Sequence, residues 1–341
     1  MNKIINLIVA MAALTLCFSC NNEWEDEQFA HYVGFKAPIN SEGCTTVHVR
    51  YTEDATVHYE LPLIVSGSTV HGSNIKAVVV VDADSLQTLN VKNFGERRKD
   101  IWYQNLADND NQYVGKDRVV TEFPATVNIP AGESTAVLDI ELDLNGLDQT
   151  WRWVLPLKVA EDQPGYTANT RKHYNNALLN IVPFNDFSGT YSASTMDGYA
   201  DDGSGNYPMD QAKLIVDEKV MYATGANTAF FYAGAIDHTY KQRAKYRVNV
   251  TFEATGGRLL LTPEDNSEMN FRVESASYEQ TATPDPLKPY LVRKNTIVNA
   301  VYYMTDATSG GEPVKYKFTG AMVMQRTLNT QIPDEDQAIQ W

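Results

Sequence analysis

The chain predicts two consecutive all-β domains, an N-terminal immunoglobulin-like β-sandwich followed by an antiparallel β-barrel. Three observations carry this. From His31 onward apolar and polar residues alternate with a period of two, turn formers cluster at short intervals, and no long stretch has helical periodicity. At 341 residues and 43% hydrophobic content there is enough chain for two separate cores.

The first element is an address. Met1 to Cys20 reads as a signal peptide, with Lys3 before an apolar run from Ile4 to Leu16, and Cys17-Phe18-Ser19-Cys20 at its end. A small residue directly before a cysteine at this point is the pattern of a bacterial lipoprotein, so residues 1–19 are expected to be removed and Cys20 to be acylated. Cys17, where an aliphatic residue is usual, departs from that pattern. The apolar stretch Ile4 to Phe18 is shorter than the roughly 20 residues a spanning helix needs, so no transmembrane helix is expected. Residues 20–30 follow as an acidic tether, Asn21-Asn22-Glu23-Trp24-Glu25-Asp26-Glu27, too polar to pack a core.

The sandwich is assigned to residues 31–183. Val47 to Val49, Val57 to Val65 and Lys76 to Val81 read as strands, the last apolar enough for a sheet buried on both faces. Thr126 to Ile129 turns at Pro130-Ala131-Gly132-Glu133 into Ala136 to Leu144, and Trp151 to Val159 and Ala177 to Val182 complete about seven strands. Trp151 and Trp153 share a strand face with Leu155 and Leu157 and read as core.

Residues 184–341 form the second domain. Lys213 to Val216 is expected to pair with Val220 to Ala223 across Asp217-Glu218-Lys219. Tyr246 to Phe252 turns at Thr255-Gly256-Gly257 into Leu259 to Leu261, and Asn295 to Met304 pairs with Val314 to Met324 across Ser309-Gly310-Gly311. Sequential hairpins closing on themselves give an up-and-down barrel without exposed edges, with a second sandwich as the alternative.

Composition excludes several functions. A net charge of -15 repels phosphate backbones, so nucleic acid is not an expected partner. Only Cys44 lies in the folded part, which leaves no internal disulfide; between Gly43 and Thr45 it reads as a small buried residue. No His-Glu-x-x-His, Gly-x-Ser-x-Gly or phosphate-cradling loop occurs, and the six histidines are scattered without metal-ligand spacing. No catalytic residue, metal or cofactor is therefore assigned. The best enzymatic candidate is Asp139, Glu141 and Asp143 on one strand face, where paired carboxylates could serve a retaining glycosidase; the simpler reading is a solvated outer sheet face. Asp108-Asn109-Asp110-Asn111-Gln112 has alternate oxygen ligands for calcium but lacks the EF-hand glycine and glutamate, and Asp201-Asp202-Gly203 is weaker still.

Sugar binding needs flat aromatic rings beside carboxylates and amides. Three polar segments supply them: Thr195 to Asp210 with Tyr199 and Tyr207, Ser275 to Arg293 with Tyr278 and Tyr290 among prolines, and the segment holding Trp102 and Tyr103. Tyr199, Tyr207, Tyr290 and Trp102 are the glycan-binding candidates.

The ordered set of motifs carries a resemblance as well. Cys20, Leu61-Pro62-Leu63, the strand-to-helix-like stretch Val78 to Asn93, Ile129-Pro130-Ala131-Gly132-Glu133 and Trp153-Val154-Leu155-Pro156-Leu157-Lys158-Val159 are similar to the N-terminal domain of Bacteroidetes surface lipoproteins of polysaccharide-utilisation loci. From Phe187-Ser188-Gly189-Thr190-Tyr191 to Trp341 the chain resembles the lipocalin-like barrel that follows in that family, although Gly189-Thr190-Tyr191 lacks the tryptophan of true lipocalins. The acidic tether resembles the export signal that sends such lipoproteins to the outer cell surface. The resemblance implies a surface-anchored, non-catalytic protein on the outer membrane that binds polysaccharide or oligosaccharide beside an outer-membrane transporter complex. A structural or adhesin-like accessory role, docking on a partner protein, is the alternative.

Overall fold

The computed structural model describes residues 31–111, 113, 118–211 and 213–337. The leader, Cys20 and the whole tether lie outside them. The first domain runs through β1 (Tyr32–Phe35), β2 (Thr45–Arg50), β3 (Thr56–Ser66), β4 (Ile75–Val81), α1 (Ala83–Phe94), β5 (Tyr103–Asn105), β6 (Ala125–Ile129), β7 (Thr135–Asp143), β8 (Arg152–Val159), β9 (Thr167–Ala168) and β10 (Asn176–Phe184).

These strands form two sheets. One has the order β7-β3-β1-β9, the other β2-β10-β8-β4-β6, with β5 added beside β8. The turn at Pro130–Glu133 carries the chain from one sheet to the other, since β6 pairs with β4 and β7 with β3. Alternation fills the space between the sheets: Leu138, Ile140 and Leu142 of β7 point in, with Leu61 and Leu63 of β3 and Leu155 and Leu157 of β8. β2 with β10, β5 with β8 and β1 with β9 are parallel pairs, which short hairpins could not have revealed.

Two sequence expectations are corrected here. β4 alternates between buried and half-buried residues, so it is not enclosed on both faces. The strand enclosed on both sides is β8, where Trp153 to Leu157 are all buried, because Leu86 of α1 and Tyr103 of β5 cluster with Val154 on its outer side. The segment without visible long helices thus contains one of 12 residues. α1 starts at Asp82, whose carboxylate accepts from Ser85 N–H at 3.3 Å, and stops at Gly95 with φ 69°. Its weak amphipathicity hid it: Leu86 and Asn90 are its buried side chains.

The second domain contributes β11 (Gly189–Ser192), β12 (Asp197–Ala200), β13 (Lys213–Ile215), β14 (Glu218–Gly225), β15 (Thr228–Tyr232), β16 (Arg247–Phe252), β17 (Leu259–Pro263), β18 (Arg272–Pro284), β19 (Leu291–Asp306) and β20 (Val314–Asn329). β11, β14, β15, β16, β17, β18, β19 and β20 follow one another as antiparallel neighbours, and the ring closes where Arg258 meets Ser277 and Tyr278 N–H donates to Gly257 O at 2.8 Å. The barrel, not a second sandwich, is the solution. The expected hairpin between Lys213–Val216 and Val220–Ala223 does not form: β13 pairs with β12 as a flap on β20, while β14 pairs with β11 and β15. That choice turns Met221 and Ala223 into the barrel, where both are buried. The interior is filled by Tyr191, Phe231, Tyr302 and Phe318, with Tyr302 and Phe318 stacked at 5.1 Å, so the barrel is a packed core.

The domains are held together by polar contacts on both flanks. Arg247 meets Asp148 at 2.7 Å, Arg98 donates to Thr239 O at 2.7 Å, and Asp186 receives both Arg50 at 3.2 Å and Lys294 at 2.8 Å. Among the described residues no helix is long and apolar enough to cross a membrane.

Candidate functional site

Between the domains lies a hollow of about 260 Å³ lined by Glu42, Ile101, Trp102, Gln149, Thr150 and Arg152 from the sandwich, and by Val220, Tyr222, Tyr232, His238 and Arg243 from the barrel. A second hollow of about 280 Å³, lined in part by Lys219 and Asp237, shares Val220, Tyr222, Tyr232 and His238 with it. Each is on the scale of a sugar ring, and together they reach the roughly 300–1,000 Å³ of ligand-binding clefts.

On the sandwich side the geometry is built from α1. Buried Asn90 donates to Tyr103 O at 2.9 Å and accepts from Tyr103 N–H at 2.8 Å, which fixes the start of β5. Trp102, immediately before it, donates its indole N–H to Gly95 O at 3.0 Å, and Lys99 lies 5.3 Å from its ring. β5 runs alongside β8 with Tyr103 opposite Arg152, and Trp102 and Arg152 both line the hollow. Arg152 lies over the rings of Phe94 and Tyr103 at 4.7 and 4.3 Å, donates to Ile101 O at 2.6 Å and reaches Glu42 at 4.0 Å. The Tyr103 hydroxyl donates to the same Glu42 carboxylate.

On the barrel side the period of two does the placing. Met221 and Ala223 of β14 point inward, so Tyr222 points outward, toward the sandwich; the same rule turns Phe230 and Tyr232 of β15 to that outer side, where both are buried. Tyr222 stacks on Phe230 at 4.9 Å, and the Arg247 guanidinium covers Phe230 at 4.1 Å. Burial pushes the Tyr222 and Tyr232 phenols up, so both stay neutral and able to donate. Arg243, 4% exposed, donates to Thr150 O at 3.0 Å and Asp100 O at 2.9 Å across the domain boundary. The Gln149 side-chain nitrogen is shielded from solvent and meets no acceptor. Desolvation in the cleft, reinforced by Arg152, holds the His238 imidazole below its usual range.

Of the sequence candidates, Trp102 stands in this cleft and the other three stand elsewhere. Tyr199 is on β12, not in a loop, and is only 9% exposed, so its ring is no open platform. Tyr207 packs edge-on against Tyr303 at 5.2 Å; Arg272 covers Tyr303 at 3.9 Å, and Glu274 accepts from Tyr303 at 2.5 Å and Lys317 at 3.1 Å. Because Tyr199 faces Lys317 and Lys317 faces Tyr303 across the strands, Tyr199 and Tyr207 share one patch on the barrel's outer wall. Tyr290 lies in the turn between β18 and β19, and Tyr278, expected in that loop, is on β18 with its hydroxyl on Glu253 O at 2.6 Å. Trp153 is core at 1% exposure, whereas Trp151 is half-buried beneath Arg243.

The remaining motifs have local roles. Asp139, Glu141 and Asp143 line the solvent side of β7, where His58 meets Asp139 at 3.1 Å and Arg118 meets Asp143 at 3.6 Å. Asp108 and Asn111 cap turns, as do Asp201 and Asp202, and no group of three or more metal-binding side chains occurs among the described residues. Burial pushes the Cys44 thiol up to about 12, which removes it as a nucleophile at neutral pH.

Comparison with known proteins adds kinship. The family model of a domain of unknown function, DUF4973, matches residues 24–164, and a model of a C-terminal domain matches residues 175–323. A multidomain protein including DUF1735 from Bacteroides ovatus is 38% identical, with 91% of this chain and 100% of that one covered and a TM-score of 0.78. A second protein of unknown function from the same organism is 39% identical over 91% and 100% of the two chains, with a TM-score of 0.79. An auxiliary nutrient binding protein from Bacteroides thetaiotaomicron is 30% identical over 92% and 100%, with a TM-score of 0.76. No functionally curated protein matches the chain.

Proposed function

Since the chain belongs to this Bacteroidetes family of two-domain proteins of the polysaccharide-utilisation type, we propose that it is a non-catalytic, lipid-anchored binding protein of the outer cell surface. It captures an oligosaccharide or polysaccharide segment in the cleft between its domains and presents it to an outer-membrane transporter. One observation carries this reading: Trp102 from one domain and Tyr222 and Tyr232 from the other line the same hollow as Glu42, Gln149, Arg152 and Arg243. Aromatic faces offer contact to the C–H side of a sugar ring, and the amide, carboxylate and guanidinium groups take its hydroxyls. The kinship with a nutrient binding protein supports the same role. The acyl chains on Cys20 would hold the protein at the membrane, more than one chain making the anchoring durable.

Affinity electrophoresis through polysaccharide-containing gels tests the binding site, using the chain expressed from residue 21 onward. Trp102→Ala and Tyr222→Ala are expected to weaken retention about 10-fold each, near 1.4 kcal/mol, with little change in Tm. Tyr207→Ala and Tyr290→Ala are expected to leave retention intact. Retention lost in the Tyr207 or Tyr290 variant but not in the cleft variants would move the site to the barrel wall or the β18–β19 turn. No retardation by any glycan would favour a docking role instead. The anchor is tested separately: Cys20→Ser is expected to move the protein from the membrane to the soluble fraction, and an unacylated N-terminus in the parent would refute it.

A further inference from the structure

The cleft's donors and charges are unevenly matched, and the mismatch identifies the ligand. The whole chain carries a net charge of -15, yet the Trp102 hollow is lined by two guanidinium groups, Arg152 and Arg243, and one carboxylate, Glu42. That carboxylate is already engaged by the Tyr103 hydroxyl and Arg152. Arg243 is almost fully buried, and its hydrogen bonds go to the backbone carbonyls of Thr150, Asp100 and Tyr240, which satisfy N–H groups without neutralising a charge. The Asp100 carboxylate, which feels Arg243, is already paired with Arg98 at 3.1 Å, so burying this cation costs free energy that an anion in the same hollow would recover. The unpartnered Gln149 amide nitrogen on the same lining points to a missing acceptor. Acidic side chains lie in the neighbouring hollow, where Asp217, Glu218 and Asp237 accompany Lys219.

We propose that the cleft selects an anionic saccharide, its carboxylate or sulfate group seated against Arg152, Arg243 and Gln149 in the Trp102 hollow and an uncharged unit in the adjoining one. This rests on the cleft being the saccharide site and goes further by naming the ligand's charge. A planar carboxylate suits the guanidinium fork of Arg152, and the aromatic wall of Trp102 and Tyr222 suits the ring that bears it.

The test compares polymers that differ only in charge. Polygalacturonate, alginate and chondroitin, the same three with their carboxyl groups reduced to alcohols, and a sulfated galactan are run in affinity gels and then titrated calorimetrically as oligomers. At least one anionic polymer is expected to bind about 10-fold or more tighter than its reduced counterpart, less so as salt is raised. The carboxylate and sulfate arms separate the two sources of charge. Arg152→Gln and Gln149→Leu are each expected to reduce that preference to about threefold or less, because they weaken binding of the acidic polymer more than binding of the reduced one. Gln149→Leu removes an unsatisfied polar group, so its Tm is expected to stay level or rise. Reduced polymers binding as well as or better than the acidic ones, with Trp102→Ala still weakening retention, would overturn the charge preference and leave the cleft standing. Anionic binding that survives Trp102→Ala, Tyr222→Ala and Arg152→Gln alike would overturn both.

Discussion

Lys219 sets the sharpest conflict between burial and charge. Its ammonium, in a residue 7% exposed, donates to Tyr232 O and Ile236 O at 2.8 Å each, and burial pushes its pKa down to about 7. The ordinary value is 10.5, so between about pH 7 and 10 the unfolded chain holds more protons at this site than the folded one, and stability climbs with pH across that window. Lys219→Met is expected to flatten this slope, read from urea unfolding at pH 7, 8 and 9; an unchanged slope would mean that the amine is solvated. In the cleft lining, the His238 imidazole, held below its usual range, is neutral at pH 7 and gains a proton as pH falls, so an anionic ligand is expected to bind more tightly as pH is lowered, and His238→Gln to lose that dependence. Trp102 was legible in the sequence because a tryptophan in a polar segment has no core to occupy. Tyr222 and Tyr232 were not, because they sit inside strands and read as barrel wall; the available signal was their alternation with Met221, Ala223 and Phe231, which leaves an aromatic on the outward face.

At the scale of elements, the barrel's seam depends on one glycine. β20 pairs with β12 up to Thr319 and with β11 at Val323, and Gly320 lies between, with φ 144° and room for no Cβ: such an atom would sit 2.0 Å from Thr195 O and 2.8 Å from Met196 Cα. Gly320→Ala is expected to destabilise the protein by about 2–3 kcal/mol, since both backbone conformation and packing oppose it. On the sandwich, Asp82→Ala removes the cap of α1 and is expected to cost about 1 kcal/mol, with some loss of binding because α1 positions Trp102 through Asn90. Denaturant melts of both variants check these values. Strand periodicity and glycine-bearing turns made the long β19–β20 hairpin and the β16–β17 pair readable in advance. The β12–β13 flap was not, because Asp217-Glu218-Lys219 resembles a turn locally and only the demand to bury Met221 and Ala223 assigns β14 to β11.

For the whole molecule, the two domains behave as one binding unit because the cleft needs both. Arg243 from the barrel reaches Thr150 O and Asp100 O of the sandwich, and Arg247 reaches Asp148. A single calorimetric transition is therefore expected for the parent, and Arg243→Ala, which withdraws a buried cation from both carbonyls, is expected to lower it and split it in two. The sequence could place each domain, but not the surface that joins them, since that surface is made of outward-facing residues far apart along the chain, such as Asp100 and Arg243, 143 positions apart. Hydrogen exchange of the parent with and without a retained oligosaccharide addresses the cleft most directly. Added protection is expected in residues 99–103, 149–152, 220–222 and 232–243, drawn from both domains at once. Protection confined to the wall around Tyr207 and Tyr303, or to the turn at Tyr290, would contradict it.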